Sequence, residues 1–304
     1  MRRVHPAAES ISRWLVGWLL LLFTFATFPV FAADQPEELL IGIEPEHNIF
    51  DQMERYHFLA DYLSEQLGVK INLTIMSRYG EVINRFKALR LDGAFLTSYT
   101  ATMAIKELHL VPLVNPVHLN GESTSQGYIF VRKDSGIRGI KDMLGKSIVF
   151  VDPATMEGFL FPLAYLKQHG IMGIKEFSNR VYFSGSHAST IFAVLDGRAD
   201  IGAAKSTVFR KLVLNDPSIQ QELQIIAESP KVPEVTLCIK EEIAAGLRSK
   251  LETVLLNMGK TPEGQDVLKQ FEALRFIKAG KADFAIIDEM ARDALTGMTE
   301  HGKD

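Results

Sequence analysis

Asn120-Gly-Glu-Ser-Thr-Ser-Gln-Gly-Tyr-Ile-Phe-Val131 decides how the chain is divided. Its first seven residues are polar and turn-forming, so they end the regular pattern before them, and the apolar run 128–131 starts a new strand. A crossing between two lobes is predicted at this break. Upstream of it, short apolar runs alternate with longer amphipathic stretches, the pattern of strands covered on both faces by helices. Strands are predicted over 39–43, 69–75, 94–96 and 111–117. Between them, Phe58, Leu59, Tyr62, Leu63 and Leu67 share one helical face, 79–91 reads as a helix, and Thr97-Ser98-Tyr99 opens another. Downstream, strands over 147–151, 180–183 and 200–204 alternate with helices over about 157–168 and 187–196. The strand 223–227 then meets Ser229-Pro230 and Pro233, whose rings stiffen a connector, and a return crossing is predicted there. A strand over 235–239 and helices over 243–258 and 262–271 would rejoin the first lobe.

The expected architecture is therefore α/β with two lobes, each a mixed sheet flanked by helices, joined by two hinge connectors. Residues 33–124 and 230–304 would form lobe 1, and 125–229 lobe 2. Such lobes leave a cleft walled by strand C-termini and helix N-termini, where open sheets place ligands, and the geometry suits hinge closure on a small molecule.

Residues 1–32 read as an export signal: Arg2 and Arg3 precede an apolar stretch from Trp14 to Phe31, and Val30-Phe31-Ala32 ends it with a small residue. An uncut membrane anchor is the rival reading, because the stretch nearly spans a bilayer. Export would place the mature chain of about 270 residues in the periplasm, long enough for two lobes. The single cysteine, Cys238, sits in an apolar run and reads as a core residue. A formal charge of −4 with interspersed signs leaves no basic footprint for nucleic acid. No nucleophile elbow, P-loop, nucleotide fingerprint or catalytic cysteine pattern is present, so neither catalytic residues nor a cofactor are predicted. A hydrolase would need a carboxylate near the cleft, such as Glu157, as a base, and the sequence names no partner for it.

Gly127-Tyr-Ile-Phe-Val-Arg-Lys-Asp-Ser-Gly-Ile137, Asp142-Met-Leu-Gly-Lys-Ser-Ile148 and Asp152-Pro-Ala, with Gly158 and Pro162, follow in that order. Ser184-Gly-Ser-His187, Val194-Leu-Asp-Gly-Arg-Ala-Asp-Ile-Gly202, Glu228-Ser-Pro230 and Gly259-Lys-Thr-Pro262 continue the series, which begins near Tyr79 and Leu91-Asp-Gly-Ala94. This ordered set resembles the phosphate/phosphite/phosphonate ABC transporter family of periplasmic binding proteins and covers nearly all of the chain beyond residue 32. The resemblance implies a type II periplasmic binding fold, monomeric, that hands a small oxyanion to an inner-membrane permease. The same closure could instead report to a membrane sensor kinase or cyclase.

In that family the loop before Gly158 offers small hydroxyl residues that, with the free N–H groups of a helix start, hold a phosphonate. Here it reads Thr155-Met156-Glu157, leaving one hydroxyl and adding a carboxylate that competes with an anion for the same donors. Glu157 could face the cleft, or cap its helix and face solvent. Ser186 and His187 open the next helix, and the resemblance implies that His187 faces ligand. Lys205 stands where relatives that bind aminated ligands tend to offer an acid or amide, and a solvated lysine is the alternative. In the first lobe, Thr97, Ser98 and Tyr99 offer hydroxyls and free N–H groups at a helix start. Tyr79 matches a recurrent family tyrosine and could equally be packing. Glu46 follows the first strand at the cleft mouth. With His47, Asp51, Glu54 and His57 it prompts a metal reading, but no second ligand set supports one, and no metal is predicted.

Overall fold

The structure, a computed structural model, describes residues 38–46, 49–76 and 78–296. The export segment 1–32 and His47 lie outside the described residues.

The first sheet takes β1 (Glu38–Ile43), β2 (Lys70–Ile75), β3 (Gly93–Thr97) and β4 (Val111–His118) from the chain before the first break. It takes β12 (Val235–Ile239) and β13 (Ala273–Lys278) from the chain after the second. Their order is β13-β4-β12-β3-β1-β2. β1 runs parallel to β2 and β3, whereas β12 is antiparallel to β3 and β4. The second sheet is β10 (Leu223–Glu228), β6 (Gly127–Arg132), β9 (Ile201–Lys205), β7 (Ser147–Phe150) and β8 (Arg180–Phe183), in that order. The two connecting segments pair with each other: β5 (Thr124–Ser125) lies antiparallel to β11 (Val232–Pro233), with Ser125 opposite Val232.

Helices cover both sheets. α1 (Ile49–Leu67), α2 (Val82–Leu89) and α3 (Ser98–Glu107) come with the first strands. α4 (Phe161–Gln168), α5 (Ile174–Phe177), α6 (His187–Leu195), α7 (Ser206–Asn215) and α8 (Ser218–Glu222) come with the second sheet. α9 (Ala245–Asn257), α10 (Pro262–Gln270) and α11 (Ala285–Leu295) end the described chain. α1 forms because Tyr56, Leu59, Leu63 and Leu67 recur at helical spacing, and that stripe is buried in one core with Leu39, Ile41 and Ile71 from β1 and β2. Each such leucine removed from water contributes about 1.5–3 kcal/mol. β3 and β12 are buried along their whole length, which is why both read as short, nearly continuous apolar runs. Cys238 is fully buried in β12, and burial pushes its thiol up.

A second core does not stop at the lobe boundary. It joins Phe86, Leu91 and Leu96 to Ile129, Phe150, Leu160 and Leu163, and takes in Phe284, Ile287 and Ala291 around α11. That last helix, which follows the last predicted element, packs on α3 and on α4. The chain after the return crossing therefore touches both layers rather than the first alone.

Candidate functional site

Glu44 and Glu46 follow β1. Gln52 of α1 clamps this segment, its Nε2 donating to the Glu44 carbonyl at 2.8 Å and its Oε1 accepting from Glu46 N at 3.3 Å. Glu44 is buried, and its Oε2 accepts from Thr97 N at 2.7 Å and from Thr100 Oγ1 at 2.6 Å at the β3–α3 junction. Opposite, the chain leaves β7 and enters a π-helical turn, Met156–Leu160. A Cβ at position 158 would stand 2.4 Å from Val151 Cγ2, so only glycine lets this turn close on the strand end. That close approach carries Glu157 inward. Its Oε1 accepts from Ser125 Oγ at 2.6 Å and its Oε2 from Ser98 Oγ at 3.4 Å, tying the second-lobe turn to the connector and to α3. Lys205 ends β9, and its ammonium donates to Glu46 Oε1 across the junction, with both side chains buried.

The charges explain one another. Burial alone would pull the Lys205 ammonium down, but Glu46, Glu157 and Glu234 hold it above the usual lysine range. Burial raises Glu44 to about 8, Thr100 and Thr97 oppose the shift by hydrogen bonding, and Glu46 adds to it. Burial also raises Glu234, with Lys205 and His118 pulling the other way. The Tyr79 phenol is raised by burial and then by Glu46, Glu44 and Glu157.

Of the residues singled out in the sequence, Glu46, Tyr79, Ser98, Glu157, His187 and Lys205 meet at this junction. Lys205 N donates to His187 Nδ1 at 3.0 Å, which puts the proton of the neutral ring on Nε2. The Tyr79 ring meets the His187 ring edge to face, centroids 6.1 Å apart. Thr97 contributes its backbone N–H, while its hydroxyl lies 3.2 Å from Thr100 Oγ1. Thr155 turns its hydroxyl back to the Asp152 carbonyl at 2.7 Å. Ser186 caps α6, accepting from Ser189 N at 3.1 Å, and lines a groove of about 840 Å³ with Glu46, Arg78, Tyr79, Asp152 and Ser184. Tyr99 points away from the others, into a separate groove between α3 and α11 beside Lys106 and Asp288. On α1, Asp51, Glu54 and His57 are exposed.

Residues 41–284 match the family described as "ABC transporter, phosphonate, periplasmic substrate-binding protein". The chain belongs to this family. It is 26% identical over 258 residues to the phosphonates-binding periplasmic protein of Escherichia coli K12, covering 82% of this chain and 75% of that one. It is 26% identical over 284 residues to a probable ABC transporter phosphite binding protein, PhnD1, of Prochlorococcus marinus, covering 90% and 94%. The crystal structure of that PhnD1 with methylphosphonate superposes with a TM-score of 0.74 at 23% identity, covering 86% of this chain and 100% of that one. A binding-protein component of an ABC phosphonate transporter from Pseudomonas aeruginosa gives 0.75 at 19%, covering 89% and 90%. The fold is the two-lobed type II periplasmic binding fold, and the family is one of substrate-binding components of ABC transporters, not of enzymes.

Within this phosphonate-binding family member, the junction also contains residues that the sequence did not mark as a site. Glu44 reads only as the end of a strand, yet its carboxyl accepts from Thr97 N and Thr100 Oγ1 at the α3 start. Ser125 lies in the polar break and becomes a donor to Glu157. Glu234 follows β11, where Thr207 Oγ1 donates to it at 2.6 Å and His118 Nε2 stands 3.4 Å away. A charged residue in a connector between two strands, as in Val-Pro-Glu-Val, is the signal that could have flagged Glu234.

Proposed function

We propose that the chain, once exported, captures a small polar solute between its lobes and presents the closed form to an ABC permease. The observation that carries this reading is the buried pair of Glu46 and Lys205, in which a carboxylate beyond β1 of the first sheet meets an ammonium at the end of β9 in the second. An ion pair taken out of water between two lobes has a worthwhile geometry only when the lobes are together, so the junction is built to be made and broken. Family membership supports import, and the paired connectors β5 and β11 are the natural hinge. Plain phosphate and simple phosphonates are expected to bind weakly, because Glu157 takes up the donors that the family's cradle would offer an oxyanion.

A thermal-shift screen of oxyanions, amino acids, organic acids and small amines should find a ligand that raises Tm by mass action. Small-angle scattering at saturating concentration of that compound should then show a more compact particle than the free chain. A scattering profile unchanged by a compound that raises Tm would count against closure.

A further inference from the structure

Resting on the reading that the chain captures a solute between its lobes, we infer that this solute is a small zwitterion with an apolar body, of the chemistry of an apolar amino acid or short peptide. Its site is the groove of about 840 Å³ in which Arg78, Asp51 and Asp152 stand without ion pairs beside the apolar side chains of Ile49, Phe183 and Leu212.

The buried groups of the junction are committed to one another, Lys205 to Glu46 and Glu157 to Ser98 and Ser125. Open space lies further out. There the segments beyond β1 and β2 of the first sheet, at Pro45 and Arg78, meet those beyond β7 and β8 of the second, at Asp152 and Ser184. β1 is parallel to β2 and β7 to β8, so all four strands present their C-terminal ends, where open sheets place ligands. The volume falls in the range of pockets for organic molecules, about 300–1,000 Å³, and exceeds what a single oxyanion fills.

Both signs of charge line this groove unneutralised. Arg78, Asp51 and Asp152 make no ion pair among the described residues, so the guanidinium and the two carboxylates stand too far apart to satisfy one another. Asp152 accepts at Oδ1 from Ala154 N of its own turn at 2.8 Å, and its Oδ2 has no donor among the described residues. The other lining charges are spoken for, Glu46 by Lys205 and Lys211 by Glu272 at 3.9 Å. A ligand with one charge would meet a partner here and a like charge as well, whereas a zwitterion answers both signs. The hydroxyls that an oxyanion would use are already bonded: Ser184 Oγ to Thr190 Oγ1 at 2.6 Å, and Ser186 Oγ to Ser189 N at 3.1 Å. Exposed ion pairs add little affinity by themselves, so the charges select and orient, and burial of apolar surface must hold the ligand. Ile49 of the first lobe is 51% exposed and Phe183 of the second 47% exposed, with Leu212 beside them. Phe183 is braced by the rings of Phe150 and Phe159, so this wall is fixed before a ligand arrives. Closure on an apolar body would cover such side chains from both lobes at once.

Calorimetry on the exported chain tests this with leucine, leucyl-leucine, glycylglycine, 4-methylpentanoate, 3-methylbutylamine and methylphosphonate. Leucine or leucyl-leucine should bind, the tighter of the two telling the free amino acid from the peptide. Glycylglycine lacks the apolar body, 4-methylpentanoate the ammonium and 3-methylbutylamine the carboxylate, and each should bind at least about fivefold more weakly than the better zwitterion. Arg78→Gln should weaken the zwitterion and 4-methylpentanoate but not 3-methylbutylamine. Asp152→Asn, which keeps the acceptor for Ala154 N, should weaken the zwitterion and 3-methylbutylamine but not 4-methylpentanoate. Circular dichroism checks that both variants fold. Failure of both zwitterions at millimolar concentration, equal binding by a singly charged analogue, or no effect of either variant overturns the assignment. Compaction in scattering on methylphosphonate alone would overturn it while leaving solute capture standing, and tight leucyl-leucine binding without compaction would instead overturn capture by closure.

Discussion

At the start of α3 the donors serve carboxylates from elsewhere in the chain. Thr97 N and Thr100 Oγ1 reach back to Glu44, and Ser98 Oγ reaches across to Glu157 in the second sheet's layer. At the start of α6 they serve the helix itself: Ser186 accepts from Ser189 N, and Ser184 Oγ pairs with Thr190 Oγ1 at 2.6 Å. Both starts follow a strand and carry small hydroxyl residues, yet the hydroxyls of one reach acids from elsewhere in the chain and those of the other close on their own segment. The difference is the acceptor: at α3 it is a carboxyl group that tertiary packing brings from elsewhere in the chain, and at α6 it is a hydroxyl of the same segment.

The largest expected effect breaks the junction to which the α3 start belongs. Glu46→Ala and Lys205→Ala should each destabilise the chain by about 3–5 kcal/mol in urea denaturation, since each leaves a buried charge unpaired. The double variant should cost clearly less than the sum of the two. Additive losses would mean that the two side chains are not paired in solution.

Glu44 gives the α3 start a pH dependence. Its carboxyl is raised to about 8, so between the ordinary carboxylate range and about pH 8 the folded chain keeps a proton that the unfolded chain has lost. The folded state binds more protons over that interval, and stability from this group falls as pH rises through it, by up to about 1.4 kcal/mol per pH unit, then levels off. It is fully present below the ordinary range. Urea midpoints of the unaltered chain should therefore fall, relative to those of Glu44→Gln, between about pH 5 and about pH 8 and change little relative to them from about pH 8 to about pH 9. Parallel profiles would show that Glu44 is ionised throughout.

The smallest effect isolates the α6 cap. Ser186→Ala should cost about 1 kcal/mol, the usual value of a lost N-cap, with the pH profile unchanged. A pH-dependent loss would show that this start too is wired to a distant charge.

Much of the fold was legible because it rests on local periodicity. β8 and β12 fall where alternating or continuous apolar runs predict them, and the polar break and the paired prolines mark the segments that become β5 and β11. β13 and α11 were not marked. β13 buries only Ala273 and Phe276 fully, so its apolar signal is thin, and α11 is stabilised by packing on α3 and α4. The helix expected from about residue 157 instead starts as a π turn, because Gly158 must pass close to Val151, a contact between residues of different elements. At the site, the sequence marked Lys205 and Glu157 by the oddness of their charges, and left open whether they face inward.

By itself, then, the chain's sequence determined the alternation of strands and helices, the two crossings and the family, because each depends on residues near one another or on motifs in fixed order. Only the tertiary structure decided that Glu157 turns inward to Ser98 and Ser125, that Lys205 meets Glu46, that Glu44 and Glu234 belong to the same junction, and that Tyr99 does not. Those outcomes depend on which side chains lose water together when residues far apart in sequence are brought into contact, and a buried charge takes its partner from whatever the fold places within reach.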